Sequence, residues 1–257
     1  RKRVFPESKN SFKRQTVMHK DDKKITNKTF ESKISDLLLA IVVFSITLGV
    51  YVLTLSPTIA LSDSGELATV CKTLGIAHPT GYPLYTLLGY IFAKFINPPV
   101  IATNLMSALF GAIATIFIFR ILRRLEFSKI VSAISALLLP FGKIMWDISA
   151  ITEVYSLSAA ITLCAIYFLV RWRNENEPKY FVLFAFFYGL AFTNHMSAVL
   201  FAPAILWIII LNFRKLSMKT ISISIAAFAG ALLLYLYIPI RSAQNPIICL
   251  LYTSDAA

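Results

Sequence analysis

The stretch LLLAIVVFSITLGVYVLTL, residues 37–55, runs for nineteen residues without a charge. A helix needs roughly 17–25 predominantly apolar residues to cross the hydrocarbon layer of a bilayer. Its apolar residues form a block, not the single stripe of a helix packed on a soluble core. Six further blocks follow, at 101–121, 130–146, 152–171, 180–194, 196–211 and 221–238. Three fall slightly short of a full crossing, a mismatch that tilt and flanking Tyr or Trp accommodate. Pro140 and Pro203 lie inside blocks, where a membrane tolerates them better than water does. The fold class read from this pattern is all-α, a polytopic membrane helix bundle of about seven spans.

Composition agrees. Of 257 residues, 57% are hydrophobic and 15% charged, against about a quarter charged in soluble domains. Mean hydropathy is +0.70. A water-soluble enzyme is excluded. The net charge of +12 would suit a nucleic-acid partner until it is located. Residues 1–35 carry 11 Lys and Arg against 4 Asp and Glu. This stretch is polar and without helical period, and reads as a disordered basic tail facing the cytoplasm. It is too long for a signal-peptide n-region, and no small-residue cleavage site follows. Met18 opens a plausible start, which makes residues 1–17 upstream read-through. At the other end, CLLYTSDAA (residues 249–257) reads as a translated sequencing adapter. Residues 36–248 then form the membrane domain, incomplete at its C-terminal end. Cys71 and Cys164 show no disulfide or metal spacing. The sequon at Asn27 falls in the tail and is discounted.

Residues 83–96 (PLYTLLGYIFAKFI) are apolar but too short to cross comfortably. Reading them as an interfacial helix places the tail, 120–129, 171–179 and 212–220 on one side of the membrane. These segments hold 21 of the 25 Lys and Arg residues. The positive-inside rule makes that side cytoplasmic, with the N-terminus inside. Asp63, Glu66, His78, Asp147, Glu153, His195 and Arg241 then gather at the outer face, which marks an outward-facing site.

Within the first outer loop, Asp63 precedes a short helical stretch with Glu66 three residues on, a capping-box pattern. Both carboxylates could simply finish a helix end. A carboxylate held rigidly at the interface is also well placed as a general base. The run His78-Pro79-Thr80-Gly81-Tyr82-Pro83 is rich in turn formers.

This loop resembles the signature of the transmembrane protein O-mannosyltransferases and their many uncharacterised bacterial relatives. The matching pieces are Asp63-Ser64-Gly65-Glu66-Leu67 and Leu74-Gly75-Ile76-Ala77-His78-Pro79-Thr80-Gly81-Tyr82-Pro83-Leu84. Further matches follow in order at Asn104–Gly111, Glu153-Val154-Tyr155-Ser156-Leu157, Gly189–His195 and Tyr237–Pro246. Ser62 stands where the family has Gly. The resemblance, which makes this chain an N-terminal fragment, implies the GT-C class of glycosyltransferases. These carry interfacial helices in the first outer loop, here at 64–74 and 83–96. They use a polyprenyl-phosphate sugar as donor and an Asp of the first outer loop.

The implied reaction moves mannose or a similar hexose to a protein Ser/Thr hydroxyl or a glycan, with inversion, on the non-cytoplasmic face. Asp63 is the expected base and Glu66 its catalytic companion. Arg241 and His195 are candidate donors to the leaving phosphate, and His78, Tyr82 and Glu153 candidate substrate contacts. Trp146 and Asp147 make a sugar-stacking edge. No phosphate-cradling glycine motif is present, which suits a lipid-linked donor. Implied partners are membrane lipids, the lipid-linked sugar and the acceptor, with no nucleic acid. The pattern does not assign a metal; Asp63, Glu66 and His78 could hold one, but their spacing leaves a divalent ion undecided. The form of the loop favours a bacterial plasma membrane, with the endoplasmic reticulum as the alternative. A multi-pass transporter or lipid flippase is the rival reading, and it lacks the expected inverted repeat; an inactive scaffold subunit is a third.

Overall fold

The computed structural model describes residues 34–61 and 63–249. The tail, Ser62 and residues 250–257 lie outside the described part, and with them the readings of a basic tail and of most of the adapter-like end.

Eleven α-helices follow one another among the described residues. They are α1 (Ile34–Leu53), α2 (Ser64–Thr73), α3 (Pro83–Phe95), α4 (Pro99–Arg124), α5 (Lys129–Leu138), α6 (Lys143–Ala150), α7 (Tyr155–Glu175), α8 (Pro178–Asn194), α9 (Ala202–Leu211), α10 (Met218–Leu232) and α11 (Tyr237–Ser242). A 3-10 segment, Met196–Phe201, leads into α9, and another, Leu233–Leu236, joins α10 to α11. The only extended pairing among the described residues is an isolated bridge between Ile76 and Cys249. The protein is an all-α helix bundle.

Among the described residues, four helices are long and apolar enough to cross a membrane: α1, α4, α7 and the continuous Met218–Ser242 segment. A fifth span arises if α5 and α6 count as one crossing bent by 66°. The bend falls at Pro140, whose ring cannot continue a straight helix. The freed Pro140 carbonyl accepts a hydrogen bond from the Tyr51 hydroxyl of α1 at 2.9 Å. A neighbouring helix thus satisfies the group that the kink exposes, as a membrane interior requires. Helix α8, at 17 residues, and the Met196–Leu211 segment are apolar but shorter. The expected count of about seven spans needs both of them to cross as well. The stretches expected as short interfacial helices, 64–74 and 83–96, form the helices α2 and α3, of 10 and 13 residues.

Helix α7 sits centrally, packed between α4 and α8, while α10 covers the other side of α8. Gly189 lets α8 and α10 approach: a Cβ there would lie 2.8 Å from the Phe228 carbonyl oxygen. Large apolar side chains such as Leu38, Ile134, Leu206, Trp207 and Ile225 face outward. In a bilayer these meet lipid, so their exposure is no defect.

The two ends of the bundle differ chemically. At one end Asp36 pairs with Arg123 and Lys129, and Glu175 with Arg124 and Arg171. Lys215 donates to the Arg173 carbonyl at the same end. The other end collects the loop after α1, helices α2 and α3, the α6–α7 junction, the α8–α9 turn and α11.

Candidate active site

The site is built on α2. Asp63 occupies its N-cap, as the capping pattern requires, but its side chain makes no cap hydrogen bond. Glu66 does not turn back to close the box either. Its Oε1 accepts the backbone N–H of His78 at 2.8 Å and lies 2.9 Å from His78 Nδ1. The capping-box reading therefore holds for position and fails for bonding. Glu66 is drawn off by a loop twelve residues on, where a carboxylate gains two donors at once.

His78 is held by that loop. The Gly81 N–H returns to the His78 carbonyl at 2.8 Å. Gly81 sits at φ +83°, and a Cβ there would lie 2.7 Å from Ile238 Cδ1. Both the backbone angle and the space call for glycine. Tyr82 then begins α3, and its hydroxyl lies 2.8 Å from His78 Nε2. Because a carboxylate only accepts, Nδ1 of His78 carries the proton toward Glu66, and the Tyr82 O–H donates to Nε2. Burial, reinforced by the charges of Asp63, Glu66 and Glu153, pushes the Tyr82 hydroxyl up to about 12. Tyr82 is therefore protonated and able to donate. Asp63 Oδ2 stands 4.0 Å from His78 Nε2, and its side chain is about half exposed.

Two other segments close the site. Glu153 precedes α7 and is only 7% exposed. Burial first, then the negative charge of Asp63, raises its carboxyl above the usual carboxylate range; the Val154 N–H and His78 oppose this. Ser107 of α4 brackets Glu153 by bonding both its N–H and its carbonyl at 3.3 Å. Thr103, Asn104 and Thr152 form a buried relay below, with hydroxyl contacts of 2.6 Å. Asn104 also donates to the Ser56 carbonyl at 2.9 Å, tying down the loop after α1. Asn194, at the end of α8, donates to the Val154 carbonyl at 3.0 Å.

His195 marks the break between α8 and the segment leading into α9. Its ring stacks on Tyr82 with centroids 5.9 Å apart, and the Tyr155 ring lies 5.0 Å away. The Ser197 N–H donates to His195 Nδ1 at 3.0 Å. Nδ1 must then be the unprotonated nitrogen, and Nε2–H the donor. Burial, with the charge of His78 second, lowers the His195 pKa below its ordinary value.

Six of the seven predicted residues thus come into one linked cluster: Asp63, Glu66, His78, Tyr82, His195 and, through its charge, Glu153. Arg241 stands elsewhere. Its Nε and Nη2 donate to the Leu74 and Thr73 carbonyls at 2.8 and 3.4 Å, and Nη1 to Gln244 at 2.5 Å. It grips the C-terminal end of α2, about 15 Å along the helix from Asp63 at 1.5 Å per residue. Asp147 pairs with Lys143, and Trp146 bonds Thr54 at 2.9 Å. Sequence reasoning gave no role to Tyr155, Ser197 or the Thr103–Asn104–Ser107 patch. The patch had a signal: small polar residues grouped on one face of an otherwise apolar span. Ser197 had none.

Residues 63–220 match the family model described as the N-terminal domain of protein O-mannosyl-transferase TMEM260. The match begins at Asp63 and ends before Arg241. The mouse protein O-mannosyl-transferase TMEM260 is 33% identical over 79% of this chain. A Dictyostelium discoideum protein of the same name is 29% identical over 64% of it. The chain spans 30% and 22% of the length of these relatives. No solved structure matches it. By a family match covering more than half its length, the chain belongs to the TMEM260-type protein O-mannosyl-transferase family.

Proposed function

We propose that this chain carries the catalytic membrane part of a glycosyltransferase. It would move mannose, or a similar hexose, from a polyprenyl-phosphate donor to a protein Ser/Thr hydroxyl at the non-cytoplasmic face. The observation that carries this reading is the convergence of Asp63, Glu66, His78, Tyr82, Glu153 and His195, from four separate segments, at one end of the bundle. The family's name adds the reaction type. A loose scatter of loop polar groups would not share hydrogen bonds and stacked rings in this way.

In this reading Asp63 takes the proton of the acceptor hydroxyl. The freed oxygen lone pair attacks the anomeric carbon from the face opposite the phosphate. The bond from that carbon to the phosphate oxygen breaks, the configuration inverts, and the lipid phosphate leaves with the electron pair. His195, neutral with its proton on Nε2, is the donor to the developing phosphate charge. Glu153, raised toward its neutral form, is suited to hydrogen-bond a sugar hydroxyl. Arg241 acts at a distance, holding α2 and with it Asp63. The donor enters sideways from the bilayer, which is why the cluster lies at a membrane surface and needs no nucleotide pocket.

Asp63→Asn in the full chain tests this. The side chain is exposed and makes no hydrogen bond, so folding should persist. Transfer from polyprenyl-phosphate mannose to an acceptor peptide should fall about 10²–10⁴-fold, the usual worth of a general base. Unchanged transfer would remove Asp63 from the mechanism.

A further inference from the structure

At the basic end of the bundle the partly buried cations are bonded within the protein. Arg123 pairs with Asp36 at 3.2 Å and with the Phe127 carbonyl, Lys129 with Asp36 at 3.7 Å, and Arg124 and Arg171 with Glu175. Arg120 is partly buried as well, yet among the described residues it has no hydrogen bond and no ion pair. It lies in the crossing helix α4, four residues before the last, Arg124. At 1.5 Å per residue that is about 6 Å toward the membrane interior. A cation at such a depth without a counter-charge is costly, and in membrane proteins it marks a site.

Arg120 faces a cavity of about 320 Å³ between α1, α4 and α7, lined also by Asp36, Leu37, Phe119, Arg123, Arg124 and Tyr167. We infer that this cavity holds the phosphate headgroup of an anionic phospholipid from the leaflet at the basic end. Positions 120, 123 and 124 share one face of α4, so three guanidiniums converge there. One carboxylate stands against them, Asp36, and it is already shared by Arg123 and Lys129. A guanidinium carries five N–H donors in a planar fork that fits a phosphate, and all those of Arg120 are unspent. Tyr167 is 6% exposed, and its hydroxyl, also without a hydrogen-bond partner among the described residues, adds a donor.

The rest of the lining suits a lipid better than a free anion. Phe119, 1% exposed, gives an apolar inner wall, and at the lip Leu37 is 48% exposed. Acyl chains lying against that lip stay in the hydrocarbon while the phosphate reaches the arginines. The volume is also far more than a bare phosphate needs, given that one water takes up about 30 Å³. Basic pockets between spanning helices at the cytoplasmic side are where anionic headgroups are usually held. The cavity lies about 25 Å along α4 from Thr103, at the opposite end from the carboxylate cluster, so it is separate from the proposed transfer site. A bound headgroup there joins α1, α4 and α7 and offsets the charge that three arginines concentrate.

Native mass spectrometry of the purified full chain, delipidated in neutral detergent and titrated with dioleoyl phosphatidic acid, tests this. One lipid per chain should bind saturably, and dioleoyl phosphatidylcholine should bind more weakly by about tenfold or more. Arg120 bonds nothing in the protein, so Arg120→Gln should leave the fold in place. It should weaken phosphatidic acid binding by about tenfold or more, the worth of a hydrogen bond to a charged group. Arg214→Gln removes an exposed cation of the same end that does not line the cavity, and should leave binding unchanged. Millimolar inorganic phosphate should not displace the lipid. Equal binding of the two lipids, wild-type affinity in Arg120→Gln, or an equal loss in Arg214→Gln overturns the inference, the last by showing diffuse attraction to a basic surface. Displacement by inorganic phosphate overturns it in favour of a free-anion site. No sugar donor or acceptor enters the assay, so lipid binding and transferase chemistry stand or fall separately.

Discussion

His195 takes its tautomer from Ser197. A backbone N–H points at Nδ1, so protonating that nitrogen would set two donors against each other. The rings of Tyr82 and Tyr155 face it from α3 and α7, and His78 supplies the nearby titratable charge. With its pKa lowered by burial, His195 favours the folded state most fully above the ordinary histidine value near 6.5. That contribution fades as pH drops through the lowered value, because the unfolded chain takes up the proton first. Histidine-selective NMR of the folded protein should therefore give His195 a midpoint below 6.5; a midpoint at or above it would contradict the neutral-donor role. Asp63 and Glu66 illustrate what a local pattern shows and what it hides. Their spacing places a helix start correctly. Where the Glu66 carboxylate goes is decided by His78, twelve residues away, and by the loop conformation that Gly81 permits, which no window of the sequence contains.

At the scale of elements, α2 is the working part, gripped at one end and reactive at the other. Leu74 closes it in a left-handed turn, and Arg241 covers the carbonyls that this leaves. A cation at a helix C-terminus also meets the negative end of the helix dipole. Arg241→Gln should lower stability by about 1.5–3 kcal/mol, the range for hydrogen bonds to a charged group, with the KM for donor nearly unmoved. Raised donor KM at unchanged stability would return Arg241 to the phosphate role that the sequence suggested. That suggestion had a plain cause: arginine is the common partner of phosphate, and nothing in residues 237–246 discloses that α11 packs against the far end of α2. Helices α1, α4, α7 and α3 were legible as uninterrupted or short apolar blocks, and α2 from the capping pattern at its start. The 66° bend between α5 and α6 was legible only as Pro140 inside a span. The turn at His195 was harder still, since 180–211 is apolar on both sides of it and the break depends on a side chain bonding its own backbone neighbour.

For the whole molecule, the fold sorts charge along its long axis without any membrane being specified. The segments at 34–36, 123–129, 171–177 and 214–219 meet at one end through ion pairs and backbone bonds. The acidic cluster stands at the other. Hydropathy and packing thus divide the chain at the same places, because the loops that carry Lys and Arg are also the loops that neighbouring helices bring together. Assigning the basic end to the cytoplasm is a statement about insertion, and it is testable with single cysteines. Cys71 and Cys164 are buried and Cys249 partly so; replacing all three with Ser gives a background for labelling. Glu126→Cys and Asn176→Cys, at the basic end, should react with a membrane-impermeant maleimide only after the membrane is opened. Asp147→Cys, on the exposed edge of α6, should react in intact cells or sealed microsomes turned with the non-cytoplasmic face outward. Labelling of Glu126→Cys from that face would invert the bundle, carry Asp63 to the cytoplasm, and separate the proposed base from an acceptor outside it.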